Sequence, residues 1–207
     1  MKKIEIEKYL FGIYCAGIII QNILATKNID ITIFTVTTGI LVSPLVFIIQ
    51  DIQTEIFGYK KAKKMIVLGY LMNFIAIMLY SLSILIPSSS IYTNQEAFTT
   101  ILGTTPRIAI ASFIAYMIGA LINSKVMEKL KTKHEKNLFF RAISSTVVGQ
   151  FIDNMLFSVI AFIGILPTQA IISMIVGGTL FEIIYEIIFY PITKKLIQKI
   201  KVSNNEL

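Results

Sequence analysis

The amino-acid sequence predicts an all-α integral membrane protein, a bundle of six transmembrane helices with both termini in the cytoplasm. Composition is the first reason. Of 207 residues, 55% are hydrophobic and 15% charged, against about 25% charged in average soluble chains, and the mean hydropathy is +0.75. Apolar runs are the second, because they recur along the whole chain near the roughly 20 residues that cross about 30 Å of hydrocarbon. The third is charge placement. Of the 19 Lys and Arg residues, 17 fall in alternate loops and 2 in the others, and cytoplasmic loops hold such an excess. Topology therefore accounts for the net charge of +7, and nucleic acid is not expected as a partner. Little length is left for a soluble domain, so residues 1–207 are read as one transmembrane domain.

The first span, 9–24, follows a head containing Lys2, Lys3 and Lys8. It superficially resembles a secretion signal. Glu5 and Glu7 in the head, and Gln21-Asn22 where a small-residue cleavage site would stand, favour a retained span. The second, 31–50, ends in Asp51, Glu55, Gly58 and the cluster Lys60, Lys61, Lys63, Lys64. The third, 65–86, stops at Pro87 and a Ser-rich loop. The fourth, 108–122, follows Pro106-Arg107, where Pro suits a first helical turn. Spans five (142–166) and six (170–190) are closed by Pro167 and Pro191. All are read as helices, because an open strand edge is not tolerated in lipid. The two halves have opposite topology, which leaves an inverted repeat open, although no sequence match between them supports one. Cys15 has no second Cys to pair with, and with His134 as the only His there is no zinc-ligand spacing. No metal or cofactor is expected.

Carboxylates in the spans are the informative exceptions. Asp153 falls near the midplane of span five, and Glu182 and Glu186 are four apart on one face of span six. An acid at a span centre costs roughly 2.5–3.5 kcal/mol. No Lys or Arg lies inside the six runs, so these acids require a proton, a bound cation, or a basic residue brought in from a loop. Gln150, Asp153 and Asn154 share a face at i, i+3, i+4, a surface suited to a planar, donor-rich ligand such as a nucleobase-like ring. Phe and Tyr of spans five and six could stack on it. Asn22, Asn73 and Ser112 are further polar groups in spans; for Asn73 and Ser112 interhelical glue is the preferred reading, worth around 0.6 kcal/mol. Asp51 and Glu55, a turn apart beside the Lys cluster, suit charge balance at the membrane surface and a ligand role equally well. A midplane acid is compatible with proton symport and equally with facilitated diffusion.

Five segments together resemble the queuosine precursor transporter family, small six-span proteins akin to vitamin uptake transporters. They are QNILATK at Gln21 to Lys27, PLxxIxxDIxTExxGYKxAxK at Pro44 to Lys64, PRIAIASFIAY at Pro106 to Tyr116, SSTVVGQFIDNMLFSVIAF at Ser144 to Phe162, and IIYEIIFYPIT at Ile183 to Thr193. The resemblance implies uptake of deazaguanine bases, such as aminomethyl- or cyano-deazaguanine or queuine, across the cytoplasmic membrane without an ATPase subunit. One carboxylate can accept a deazaguanine's ring N–H and exocyclic amine side by side. Carried over, the family motifs mark Asn22, Gln150 and Asp153, with Asp51, Glu55 and Arg107 as gating or structural positions. The expected binding set is Asn22, Gln150, Asp153, Asn154, Glu182 and Glu186.

Two positions depart from the family pattern: Asn123 stands in place of an Asp at the end of span four, and Glu182 in place of a Lys in span six. Losing a cation and gaining an acid predicts preference for an amine-bearing base over the cyano form. Homodimerisation and proton coupling are left open. A second transport reading is a substrate-binding subunit of an ATPase-energised vitamin uptake complex; uptake by the solitary chain in a host lacking that complex would separate the two. A purely assembly role would tolerate Asp153→Asn. An intramembrane hydrolase using Asp51 and Asp153 lacks a GxGD sequence, HExxH or a nucleophile–base constellation, so no enzymatic activity is expected.

Overall fold

The computed structural model describes residues 3–31, 34–103, 106–133 and 136–205; His134 lies outside them. Among these residues there are seven α-helices: α1 (Lys3–Leu24), α2 (Ser43–Phe57), α3 (Tyr59–Leu85), α4 (Gln95–Leu102), α5 (Pro106–Lys131), α6 (Leu138–Phe162) and α7 (Thr168–Asn205). Four stretches are long and apolar enough to cross a membrane: Tyr59–Leu85, Ile110–Lys131, Leu138–Phe162 and Thr168–Lys201.

Polarity is arranged as lipid demands. The outward faces of α3 and α7 expose Met78, Leu79, Leu82, Ile184 and Ile188, each more than half accessible, while Gln50, Asp51, Glu55, Asn123, Arg141 and Asp153 are buried. Water would reward the opposite pattern; hydrocarbon rewards this one, since ionisable groups in membranes face the bundle interior. An apolar cluster around Tyr14, Ile49, Ile66 and Tyr70 joins α1, α2 and α3.

Side-chain contacts give the helix directions. Tyr14 donates to Gln50 Oε1 at 3.4 Å while Gly17 lies against Val46, so α1 and α2 are antiparallel. Asn22 donates to Asn73 at 2.9 Å and Gly69 packs on Tyr14 and Ile18, so α1 and α3 run together. In α5 and α6, Gly119 abuts Asp153 and Asn123 abuts Gly149, an antiparallel seam in which glycine lets backbones approach closely.

Several expected boundaries change. Span two was expected to be helical over 31–50, but the helix begins at Ser43. Upstream, Asn28–Ile31 (β1) and Phe34–Thr37 (β2) pair antiparallel, Asn28 opposite Thr37, and a 3-10 turn covers Thr38–Leu41. The run is rich in Ile, Val and Thr alternating with polar residues, a strand period that total hydropathy conceals. Thr38 donates its hydroxyl to Leu24 O at 2.6 Å, tying the hairpin to the end of α1. The 15 residues of α2 rise about 22 Å, short of a full crossing.

The Ser-rich loop holds α4, which the sequence reading did not anticipate, and α5 runs to Lys131, past the expected end at 122. α7 continues through Pro191 to Asn205 instead of closing there. A proline forfeits one backbone bond, and Thr193 donates to Phe189 O at 3.5 Å beside the interruption.

α2 turns into α3 at Gly58, whose φ of 81° and ψ of 164° belong to a region essentially reserved for glycine. Gly58→Val should therefore lower the stability of the purified protein by about 1–3 kcal/mol, read as a drop in detergent melting temperature.

Candidate functional site

A cavity of about 470 Å³ lies among α1, α2, α3, α5, α6 and α7, within the usual size of small-molecule sites, roughly 300–1,000 Å³. It extends from Ala25, Gly39 and Ser173 at one end of the bundle to Gln50 and Glu182 deeper in. Among its described lining residues there is no Lys or Arg. The interrupted backbone before α2 reaches it at Gly39, an arrangement membrane proteins tolerate where irregular backbone lines a cavity.

Five of the six residues expected to bind substrate line this cavity: Asn22, Gln150, Asp153, Asn154 and Glu182. Asp153 is 7% exposed, and its Oδ1 has no hydrogen-bond donor among the described residues. Asn154 Nδ2 donates to Glu182 Oε2 at 2.8 Å and to Gln150 O at 2.9 Å, so Glu182 has a built-in neutral partner and no counterion among the described residues. Asn22 is engaged with Asn73. One wall is aromatic: Tyr116 and Phe157 lie parallel within 9° with centroids 6.3 Å apart, and Tyr70 continues the row at 6.5 Å from Tyr116.

Glu186 departs from expectation. It lies one turn beyond Glu182, outside the cavity lining, where its carboxyl faces Asp51 of α2, with Asn123 of α5 beside Asp51. One turn further along α2, Glu55 is ion-paired with Arg141 at 2.6 Å and Lys201 at 2.6 Å, with Lys131 Nζ at 3.9 Å. Lys131 also donates to Glu55 O at 2.5 Å. Burial pushes the Glu55 carboxyl up, but hydrogen bonds from Arg141 and Lys201 and the Lys131 charge hold it below the usual carboxylate range. Arg107 works at the opposite end, donating to Ile160 O and Ile163 O at 2.7 Å each, where the last carbonyls of α6 lack helical partners.

Three layers follow along the axis: the cavity, then Asp51 with Glu186, then the ion-paired Glu55. Gln50 Nε2 donates to Ala120 O at 3.3 Å and Thr54 Oγ1 to Ser124 Oγ at 3.1 Å, joining α2 to α5 between layers.

The sequence reading missed Arg141, Lys131 and Lys201. Arg141 was counted as a loop charge one residue before span five, yet it is 2% exposed within α6. The signal was the long interhelical reach of Glu55, which spacing along one chain does not reveal. Gln50, Tyr70 and Tyr116 also went unremarked as lining residues, because apolar runs hide which face turns inward.

A helical bundle clad in apolar side chains, enclosing a small-molecule cavity, has the architecture of a multi-pass membrane transporter. Comparison with known proteins is specific: the family described as "Putative vitamin uptake transporter" matches residues 37–196, and the chain belongs to that family. The family comprises transporters, not enzymes. A "Probable queuosine precursor transporter" of Bacillus subtilis (strain 168) is 25% identical over 87% of this chain and 78% of its own. A protein of the same name from Haemophilus influenzae (strain ATCC 51907 / DSM 11121 / KW20 / Rd) is 34% identical over 62% of this chain and 53% of its own. The "Queuosine precursor transporter" of Escherichia coli (strain K12) is 27% identical over 69% and 62%. No solved structure gives a significant match.

Two substitutions test this geometry. A Cβ on Gly119 would stand 2.7 Å from Asp153 Cβ and 2.9 Å from Gly149 O, so Gly119→Val should destabilise by about 1–3 kcal/mol through overpacking, visible in detergent melts. Arg141→Ala should cost close to the lower end of the about 3–5 kcal/mol typical of a broken buried pair, since Lys201 and Lys131 still face Glu55; the same melts should show a smaller loss for the exposed Arg107→Ala.

Proposed function

We propose that this transporter imports queuosine precursors, deazaguanine bases, across the cytoplasmic membrane, as a single domain of six spans, the short α2 serving as the second, with both termini inside. The observation that carries the reading is Asp153: a buried carboxylate with an unsatisfied oxygen, in a cavity of suitable size with no Lys or Arg among its described lining residues. A deazaguanine brings adjacent N–H donors to such an acceptor, and stacking a base on an aromatic side chain contributes about 1–3 kcal/mol, a role for Tyr116 and Phe157. Gln150 is placed to engage the rest of the base edge. The shared name of the three relatives supports the substrate class.

With the termini inside, α1 and α2 place the Ala25–Gly39 end of the cavity on the outer side and the Glu55 ion-pair layer on the inner side. In this reading the site is reached from outside and closed within. Glu182, held by an amide and not by a cation, favours bases that carry an amine.

In cells unable to make the precursor, queuosine in tRNA measures import. Asp153→Ala, at matched expression, should lower queuosine by at least tenfold when a base is supplied, the penalty of about 1.4 kcal/mol or more expected from losing a charged hydrogen bond. Unchanged queuosine would reject the site. In competition uptake, aminomethyl-deazaguanine or queuine should displace labelled substrate at lower concentration than the cyano form; the reverse order would reject the amine preference.

A further inference from the structure

The layer between cavity and ion pairs has a composition that substrate binding does not use. Asp51 is 1% exposed, Glu186 4% and Asn123 2%. Asp51 lies against Asn123 and Glu186, but both Asp51 oxygens, Glu186 Oε1 and Asn123 Oδ1 are buried with no well-formed hydrogen bond among the described residues. Two carboxyls thus face each other, with acceptor oxygens unsatisfied and no Lys or Arg among the described residues of the layer.

Neighbouring charge does not compensate. From α2, Glu55 adds a like charge one turn away, and the three cations around it are already committed to it. From α6 the nearest acid is Asp153, and from α7 it is Glu182, both on the cavity side. α5 contributes Asn123, which is uncharged. Two facing carboxylates disfavour joint ionisation in a buried site, so one carboxyl keeps its proton and the single remaining negative charge calls for one positive charge.

We infer that Asp51 and Glu186, with Asn123 beside them, form a site for one monovalent cation, a proton or a sodium ion, whose occupancy couples to substrate in the adjoining cavity. The link is short: Glu186 is four residues from Glu182 on α7, about 6 Å, and Asp51 follows the cavity residue Gln50. The site rests on the transport reading above for its substrate, and on its own geometry for the cation.

The test uses the purified full-length protein in proteoliposomes with labelled aminomethyl-deazaguanine. Exchange without any gradient reads transport. An imposed inward gradient of about tenfold in either protons or sodium should raise internal over external base toward tenfold, the limit for one-to-one coupling, and the effective ion identifies the cation. In Asp51→Asn and in Glu186→Gln the ratio should fall to one, whatever their exchange rates. Exchange by the wild type with no accumulation under either gradient overturns the proposal, as do variants that accumulate like the wild type. Absence of exchange itself would reject the substrate. In that case the melting temperature of the purified protein against pH and sodium decides the cation site: dependence on one ion that Asp51→Asn abolishes upholds it, and no dependence overturns it.

Discussion

Charge without a partner cannot rest in hydrocarbon, and the fold is organised by how it meets that constraint. Glu55 meets it with three cations drawn from α5, α6 and α7, tying four helices at one end of the bundle. Buried pairs of this kind contribute little net stability compared with an apolar replacement, but breaking one is costly. Here they hold α2, α5, α6 and α7 together at one height. Asp153 meets the constraint differently, by facing a cavity.

The layered arrangement also explains why the sequence motifs are dense where they are. Asp51 and Glu55 are a turn apart on α2 yet serve different layers: one faces Glu186, the other the ion-pair cluster. Asp153, Gln150 and Asn154 share one face of α6 and all reach the cavity. Along α7, Glu182 and Glu186 divide between the cavity and the next layer. Helical periodicity converts short runs of sequence into a vertical series of environments.

Much of this was legible from spacing alone. The face shared by Gln150, Asp153 and Asn154 followed from i, i+3, i+4, and the helical class followed from hydropathy. Two kinds of information were not local enough to read. Arg141 sits at a helix boundary, where a shift of one residue moves a charge from loop to core, and its partner is 86 residues away. The run of residues 28–37 is apolar overall, and only its β-branched alternation distinguishes it from a span. Glu186 was assigned to the ligand because it shares a face with Glu182; a single turn of helix was enough to carry it into a different layer.

The seam between α5 and α6 has a mechanical consequence. Gly119 and Gly149 bring the two backbones so near that neither position has room for a methyl group. Two rods interlocked in this way move as one strut. Any alternation of the cavity between the two sides of the bilayer must then be absorbed where that strut slides against the shorter α2 and the long α7.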